Sequence, residues 1–275
     1  MNRHATPDTA PIAAAIGLLA CPVCGLSLGR RNRTLRCPAG HSFDVARQGY
    51  VSLLRGAAPA NADTAEMVAA RARFLNTGGY LPIRDAVVEA CRATTRVAEV
   101  GAGTGYYLAA VVTEQHPQAH LALDVSTAAA RRSSRMGLAS AVADTWTGLP
   151  ILGGRLDCIM CIFAPRNPAE FARVLDPGGR VVVVTPRPAH LAELRARLHL
   201  LDVPPDKLAR LDASFADVGL VAEERTAIDF DLEISPPTAA DLVAMGPNAF
   251  HGEHAVLEES VQVQVSVTLS SYQRV

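Results

Sequence analysis

The chain has 275 residues, enough for one large domain and a smaller one. Hydrophobic residues make up 49% of it, so it can bury a substantial core, which excludes wholesale disorder. The formal net charge of −1 hides an uneven distribution, because residues 1–56 contain seven arginines and only two acidic residues. A basic segment on an acidic body predicts contact with a polyanion, although a merely soluble, arginine-rich surface would have the same composition.

A short apolar stretch, PIAAAIGLLA, occupies residues 11–20. It is much shorter than the roughly 20 residues that span a membrane. Together with Cys21 it resembles a lipoprotein cleavage site. Asp8, however, interrupts the positively charged flank, and Cys21 fits the metal-binding pattern described next. We therefore expect a cytoplasmic protein with no membrane partner.

Four possible metal ligands follow in the pattern C-x2-C-x12-C-x3-H, namely Cys21, Cys24, Cys37 and His41. Two thiolates from one tight turn and two further ligands from a second turn are typical of a tetrahedral zinc site. The alternatives are two disulfides or unrelated buried thiols, which a reducing compartment disfavours. Four protein ligands leave no open position, so the predicted zinc is structural. Residues 1–56 are thus predicted to form a zinc-binding module, and their arginines would meet a polyanion such as RNA.

From residue 96 the chain alternates short apolar runs with helical stretches. Strands are predicted at residues 96–100, 120–124, 140–143, 156–163 and 180–185. This alternation predicts an α/β fold with a doubly wound, mostly parallel sheet. Two longer runs, 220–232 and 261–272, predict a closing antiparallel pair. The whole resembles the Rossmann-like, seven-stranded sheet of class I S-adenosylmethionine (SAM)-dependent methyltransferases, and places that domain at residues 93–275.

The predicted strand 156–163 contains a second C-x2-C pair, Cys158 and Cys161. Residues three apart on a strand face opposite sides of the sheet, so these two cannot share a metal ion. We expect them to pack in the core, like Cys91.

The first predicted strand runs into the sequence EVGAGTG, which contains Glu99, Gly101, Gly103, Thr104 and Gly105. Such glycines let the backbone approach a ligand closely. Dinucleotide-binding sites share this pattern, so a dehydrogenase is the alternative to a methyltransferase. Acidic residues at three successive strand ends favour SAM. In methyltransferases they bind the ammonium group, the ribose diol and the adenine amine, here through Glu99, Asp124 and Asp144. Each acid has an alternative role as a helix cap or loop residue. Residues 176–179, DPGG, are expected to form a turn.

The segments HSFDVARQGYVSLL (41–54) and DTAEMVAARARFLNTGGYLPIRDAV (63–87) complete a more specific pattern. With the zinc ligands and the glycine run, they resemble the 23S ribosomal RNA (guanine-N1)-methyltransferases, from about residue 20 onward. That family includes housekeeping enzymes and macrolide (tylosin-type) resistance enzymes. The resemblance implies methylation of N1 of a specific hairpin guanine in 23S rRNA by a homodimer that uses SAM and a structural zinc.

The resemblance also assigns further cofactor contacts. Residues 57–92 would be a helical linker that brings Tyr80 over the cofactor, and His190 after the fifth strand would also touch it. Without the family, Tyr80 reads as a packing residue and His190 as a histidine at a helix start. Gly103 and Thr104 would be the contacts from the glycine run.

The substrate side is less defined. The segment FAPRN (163–167) lies where class I enzymes engage the target base, and MGPNAF (245–250) resembles the family's substrate-side loop. The sequence does not identify the residue that accepts the guanine N1 proton, so the catalytic residue is unknown. Two other functions stay open: a SAM-dependent methyltransferase for a small molecule, with a zinc module for oligomerisation, and a non-catalytic RNA-binding protein. Activity on a metabolite without RNA retention would favour the first, and failure to bind SAM the second.

Overall fold

The structure is a computed structural model and describes residues 11–246, 249 and 255–275. Its strands are β1 (Gly29–Arg31), β2 (Thr34–Arg36), β3 (Ser42–Asp44), β4 (Val51–Ser52), β5 (Arg96–Val100), β6 (Ala119–Asp124), β7 (Ser140–Val142), β8 (Leu156–Ile162), β9 (Leu175–Pro186), β10 (Leu220–Ile234) and β11 (Val261–Arg274). Its helices are α1 (Ala65–Asn76), α2 (Leu81–Ala90), α3 (Tyr106–Gln115), α4 (Thr127–Arg135), α5 (Pro168–Val174), α6 (Ala192–Leu198), α7 (Lys207–Ala216) and α8 (Pro236–Ala244).

The main sheet has the strand order β10-β11-β9-β8-β5-β6-β7-β4. Strands β4 to β9 within it pair in parallel, whereas β11 is antiparallel to both β9 and β10. Helices join most of the parallel strands and cover both faces of the sheet, so the central strands can be apolar on both sides. The connection from β7 to β8, residues 143–155, is a loop without a helix, which departs from the predicted alternation. The structure therefore confirms the predicted α/β class and the closing antiparallel pair. In a sheet of this kind, ligands bind at the carboxyl ends of the strands.

The central strand β8 buries side chains on both faces of the sheet. Cys158 and Cys161 are both fully buried, and they join different hydrophobic clusters on the two faces of the sheet. The Sγ atom of Cys158 lies 3.8 Å from that of Cys91. The prediction that these cysteines pack in the core is confirmed.

One predicted turn has a different form. The segment Asp176–Gly179 lies inside β9, where the pairing with β8 jumps from Leu156–Leu175 to Cys158–Arg180. The four residues bulge out of the ladder, with φ of 78° at Gly178. Arg96 donates to the Asp176 carboxylate at 2.5 Å and holds the bulge in place. A turn sequence was recognised correctly, but it interrupts a strand rather than preceding one.

The N-terminal segment continues the main sheet. Strands β1, β2 and β3 form a small antiparallel sheet, and β4 then pairs with the edge strand β7. The backbone N–H of Leu53 donates to the Val142 carbonyl at 2.9 Å, and that of Ala20 to the Pro150 carbonyl at 2.9 Å. Ile12 and Leu19, from the apolar stretch, are fully buried in the same core. Among the described helices, none is long and apolar enough to cross a membrane.

Candidate functional site

The glycine run leaves β5 at the carboxyl edge of the sheet. Gly101, Gly103 and Gly105 have φ angles of 73°, 52° and 79°, which only glycine adopts readily. A Cβ atom at Gly101 would lie 2.4 Å from the Ala164 Cβ, and one at Gly105 would lie 2.6 Å from the Leu138 Cδ1. The missing side chains therefore let this backbone lie against the loop after β8 and against the end of α4. Thr104 is buried between these two glycines.

Two of the predicted acids are anchored directly beneath this run. Asp124, at the end of β6, accepts hydrogen bonds from the backbone N–H groups of Gly103 and Ser126, both at 2.8 Å. Glu99 is buried and accepts from the Leu108 N–H at 3.1 Å. Burial, with the charge of Asp124 nearby, raises the pKa of Glu99 to about 8, whereas the Leu108 hydrogen bond opposes the shift. Burial likewise raises the pKa of Asp124.

The third acid, Asp144, follows β7 at the same edge of the sheet and is partly exposed. Its Oδ1 accepts the backbone N–H of Trp146 at 2.9 Å, so it also shapes the turn in which it lies. The structure thus brings all three acids to the carboxyl ends of neighbouring strands.

Tyr80 and His190, 110 residues apart, meet in the interior. The backbone N–H of Ser266 donates to Nδ1 of His190 at 3.3 Å, so the neutral ring carries its proton on Nε2. That proton is donated to the Tyr80 hydroxyl oxygen at 3.3 Å. Burial lowers the pKa of His190 to about 4, which keeps the ring neutral at pH 7. The hydroxyl hydrogen of Tyr80 is then left for another acceptor.

Phe163 begins the segment 163–167, which the sequence placed near the target base, but no role was predicted for Phe163 itself. It has φ of 54°, a strained value for a non-glycine residue, which is why β8 ends at Ile162 and not at Phe163. Its ring lies 5.9 Å from that of His190, nearly parallel, and 6.0 Å from that of Tyr80. The side chain is 38% exposed. Part of the residue is therefore exposed at the end of β8.

Two further side chains complete the cleft. The hydroxyl of Tyr107 is buried and has no hydrogen-bond partner. Burial raises its pKa, and the neighbouring Tyr80 and Glu99 groups raise it further. Arg71 of α1 lies over the glycine run, 3.1 Å from the position of a Gly103 Cβ, where it pairs with Asp63 and donates to the Met245 carbonyl at 2.5 Å. An orphaned donor and a glycine cradle fit a polar ligand such as SAM.

The loop after β8 is held by Asn167. Its Nδ2 donates to the Thr145 carbonyl at 2.9 Å, and its Oδ1 accepts the Glu170 N–H at 3.3 Å as the cap of α5. Both ends of the amide are thus engaged in the protein. Of the other predicted substrate segment, Pro247, Asn248 and Phe250 lie outside the described residues.

The four predicted zinc ligands come together in the N-terminal segment. The ligand atoms of Cys21, Cys24, Cys37 and His41 all lie within 4.8 Å of one another. The Cys24–Cys37 Sγ distance is 3.7 Å, and Nδ1 of His41 lies 3.6 Å from the Cys21 Sγ and 3.4 Å from the Cys37 Sγ. Tetrahedral zinc, with bonds of about 2.3 Å to sulfur and about 2.0 Å to nitrogen, separates its ligands by roughly 3.5–3.8 Å. The donor set therefore fits zinc.

Comparisons with known proteins agree with both sites. The family model described as "RlmA, N-terminal", a zinc ribbon, matches residues 19–58. The 23S rRNA (guanine(748)-N(1))-methyltransferase of Streptomyces fradiae is 41% identical in an alignment 268 positions long that covers 92% of this chain and 95% of that protein. The "Putative 23S rRNA (guanine-N(1)-)-methyltransferase" of Micromonospora griseorubida is 43% identical in an alignment 285 positions long, gaps included, that covers 92% of this chain and 96% of that protein. The chain belongs to the 23S rRNA (guanine-N1)-methyltransferase family.

Membership in this family confirms the predicted enzyme class and both predicted cofactors, SAM and zinc. It also argues against the dehydrogenase and the non-catalytic alternatives. A structure described as "Complex between the Haloferax volcanii Trm112 methyltransferase activator and the putative methyltransferase" matches with a TM-score of 0.52 and 18% identity, covering 76% of this chain and 96% of that one. That similarity supports the fold alone. The domain limits and the individual cofactor contacts stay predictions.

Proposed function

We propose that this methyltransferase transfers a methyl group from SAM to N1 of guanine 748 in 23S rRNA. The observation that carries the proposal is the 41% identity, over 92% of the chain, to a relative named for that guanine. The combination of a cofactor cleft and a basic zinc ribbon in one chain supports an RNA substrate over a small molecule. A role in macrolide resistance, a homodimeric state and a cytoplasmic location stay predictions.

In this proposal the cleft residues hold the cofactor by its three polar ends. Glu99 takes the ammonium group, Asp124 the ribose diol and Asp144 the adenine amine, as predicted. Gly101, Gly103, Thr104 and Gly105 form the cradle under it. Tyr80, oriented by His190, donates its free hydroxyl hydrogen from the linker side. SAM supplies an electrophilic methyl group, so the protein's task is alignment of the acceptor for in-line displacement.

The acceptor base has to leave its stack to reach this cleft. Phe163 offers a rigid aromatic face at the strand exit, backed by His190 and Tyr80. Its φ of 54° is strained for a non-glycine residue, and strain of that kind is typical of functional sites. We propose that the extruded guanine stacks on Phe163. We expect RNA phosphates to be bound by exposed arginines of the N-terminal segment, namely Arg31, Arg33, Arg36 and Arg47.

Primer extension tests the reaction. Unmodified 23S rRNA is treated with the enzyme and SAM, and reverse transcription should stop next to guanine 748, because N1 methylation blocks Watson–Crick pairing. Methyl incorporation with a full-length product would refute methylation at N1.

A substitution at Phe163 tests the stacking of the guanine. The Phe163→Ala variant should lose at least about 100-fold in kcat while it keeps its affinity for S-adenosylhomocysteine, since positioning of the base is lost. Phe163→Tyr, which keeps an aromatic ring, is the matched control.

The pH dependence of cofactor binding tests Glu99. Its pKa of about 8 in the unliganded protein leaves it mostly protonated at pH 7, whereas binding an ammonium group requires the carboxylate. Cofactor affinity should therefore rise up to about tenfold per pH unit between pH 6 and 7.5, with release of nearly one proton. Calorimetry in phosphate and in Tris, which differ in ionisation enthalpy, measures that proton.

The raised pKa of Glu99 also makes the stability of the protein depend on pH. A carboxyl group whose pKa rises from 4.5 to about 8 on folding stabilises the protein below pH 4.5, and this contribution is lost as the pH rises through 8. Glu99→Gln should bind the cofactor more weakly and without pH dependence in this window. An unchanged pH profile in Glu99→Gln would contradict the role of Glu99.

A further inference from the structure

A cavity of about 520 Å³ opens between the loop after β7, the loop after β8 and helix α7. Its volume is in the range of roughly 300–1,000 Å³ that is usual for pockets that bind small ligands. None of the predicted cofactor residues lines it. The proposed reaction gives it no role.

The charged residues that line the cavity are all basic. Arg166, Lys207 and Arg210 line the cavity, and no acidic residue does. Arg210 is neutralised by Asp206, the residue before α7, with the Nη2 and Oδ2 atoms 2.6 Å apart. Arg166 and Lys207 make no ion pair with any residue that the structure describes, and the Nε of Arg166 is buried without a hydrogen-bond acceptor. Two such cations at one half-buried wall favour a bound anion.

The electrostatics of Lys207 agree with this. Burial lowers its pKa, and the charge of Arg166 lowers it further. The charge of Lys207 in turn helps to lower the pKa of His190, which is neutral at pH 7, and the adjacent Asp206 is paired with Arg210. Lys207 thus faces a like charge and a neutral ring, and an anion held against Arg166 would relieve the repulsion.

An aromatic ring lies on the same cavity wall. Trp146 is the only tryptophan of the chain, and it is 67% exposed. The Asn167 side chain ties its loop to the loop of Arg166, through the hydrogen bond to the Thr145 carbonyl. The cavity therefore adjoins the strand exit where Phe163 lies, only three residues before Arg166. A flat exposed ring beside unpaired cations is the combination that binds single-stranded nucleic acid.

We propose that this cavity binds the nucleotide next to the target guanine in the RNA strand. Arg166 and Lys207 hold its phosphate, and Trp146 stacks on its base. The inference rests on the proposed RNA substrate and adds to it a site that fixes the strand while the guanine is extruded. It assigns the cavity to substrate recognition and not to the cofactor.

The first test measures binding of a 23S rRNA hairpin that contains guanine 748, at several salt concentrations. Arg166→Gln and Lys207→Gln should each weaken binding about tenfold and reduce the salt slope by about 0.7, the contribution of one phosphate contact in a single strand. Arg210→Gln is the matched control, because that cation is already neutralised, and it should bind like the wild type. Melting temperature and far-ultraviolet circular dichroism establish that each variant is folded.

The second test uses the fluorescence of Trp146, which is unambiguous because no other tryptophan is present. Saturating hairpin should quench the emission, whereas S-adenosylhomocysteine alone should leave it unchanged. Unchanged hairpin affinity and salt slope in both variants, or absence of quenching, would overturn the proposal. A loss of S-adenosylhomocysteine affinity in folded variants would also overturn it, by assigning the cavity to the cofactor. If instead the wild type methylates no rRNA at all, the proposed function itself fails.

Discussion

The Cys24→Ser variant should lose its zinc and, with it, the fold of the N-terminal ribbon. The reason is the small size of the ribbon sheet, in which β1, β2 and β3 have three residues each. Such a segment depends on the metal for its stability, and zinc contributes apparent binding free energies of about 10–16 kcal/mol in comparable peptides. The measurements are zinc content per chain and limited proteolysis, which should cut the region 19–58 first.

A matched control separates the metal from the side chain. Cys24→His keeps a donor that zinc accepts and should retain about one zinc per chain. Binding of 23S rRNA should fall at least about tenfold in Cys24→Ser, because the exposed arginines of the ribbon lose their arrangement, whereas S-adenosylhomocysteine affinity should change little. Full zinc content in Cys24→Ser would contradict the four-ligand site.

Gly101→Ala should abolish cofactor binding, with at least about a 100-fold loss of affinity for S-adenosylhomocysteine. The added Cβ would lie 2.4 Å from the Ala164 Cβ and would force the glycine run away from the loop after β8. The φ of 73° adds a cost of roughly 1–2 kcal/mol for any residue with a Cβ. Calorimetric titration with S-adenosylhomocysteine measures the loss.

Gly154→Ala is the control for backbone strain alone. Gly154 has φ of 61°, but a Cβ there would meet nothing within 4 Å, and the residue precedes β8 at the opposite edge of the sheet. The control should lower the melting temperature by a few degrees and leave cofactor affinity unchanged. Equal affinity in the two variants would show that the close approach at Gly101 is not needed for binding.

The sequence predicted most of the fold because its signals are local. Most of the apolar runs that become β5 to β9 stand between helical segments, the loop from β7 to β8 being the exception, and the spacing of Cys21 and Cys24 already specifies a metal-binding turn. The acids at strand ends could be placed for the same reason, since parallel strands end at one edge of the sheet. The segment 176–179 was predicted as a turn and is a bulge inside β9, a difference that depends on the pairing with β8 and not on the local sequence.

Other features arise only from distant residues. No local pattern brings Tyr80 to His190, or shows that the backbone N–H of Ser266 fixes the protonation of that ring. Phe163 was predicted as the last residue of a strand, and no local pattern predicts its positive φ or its contacts with Tyr80 and His190. The cavity at Lys207 requires α7 to be placed against the loops after β7 and β8, which sequence spacing does not encode.

The pairing of β4 with β7 has a consequence for solubility. An unpaired edge strand exposes backbone donors and acceptors that can recruit a strand from another molecule. In this protein the ribbon covers that edge at one end of the sheet through Val51 and Ser52. A metal-binding segment therefore also protects the enzyme against strand-to-strand aggregation, and chelation of zinc would expose a surface prone to self-association even while the cofactor cleft stays intact.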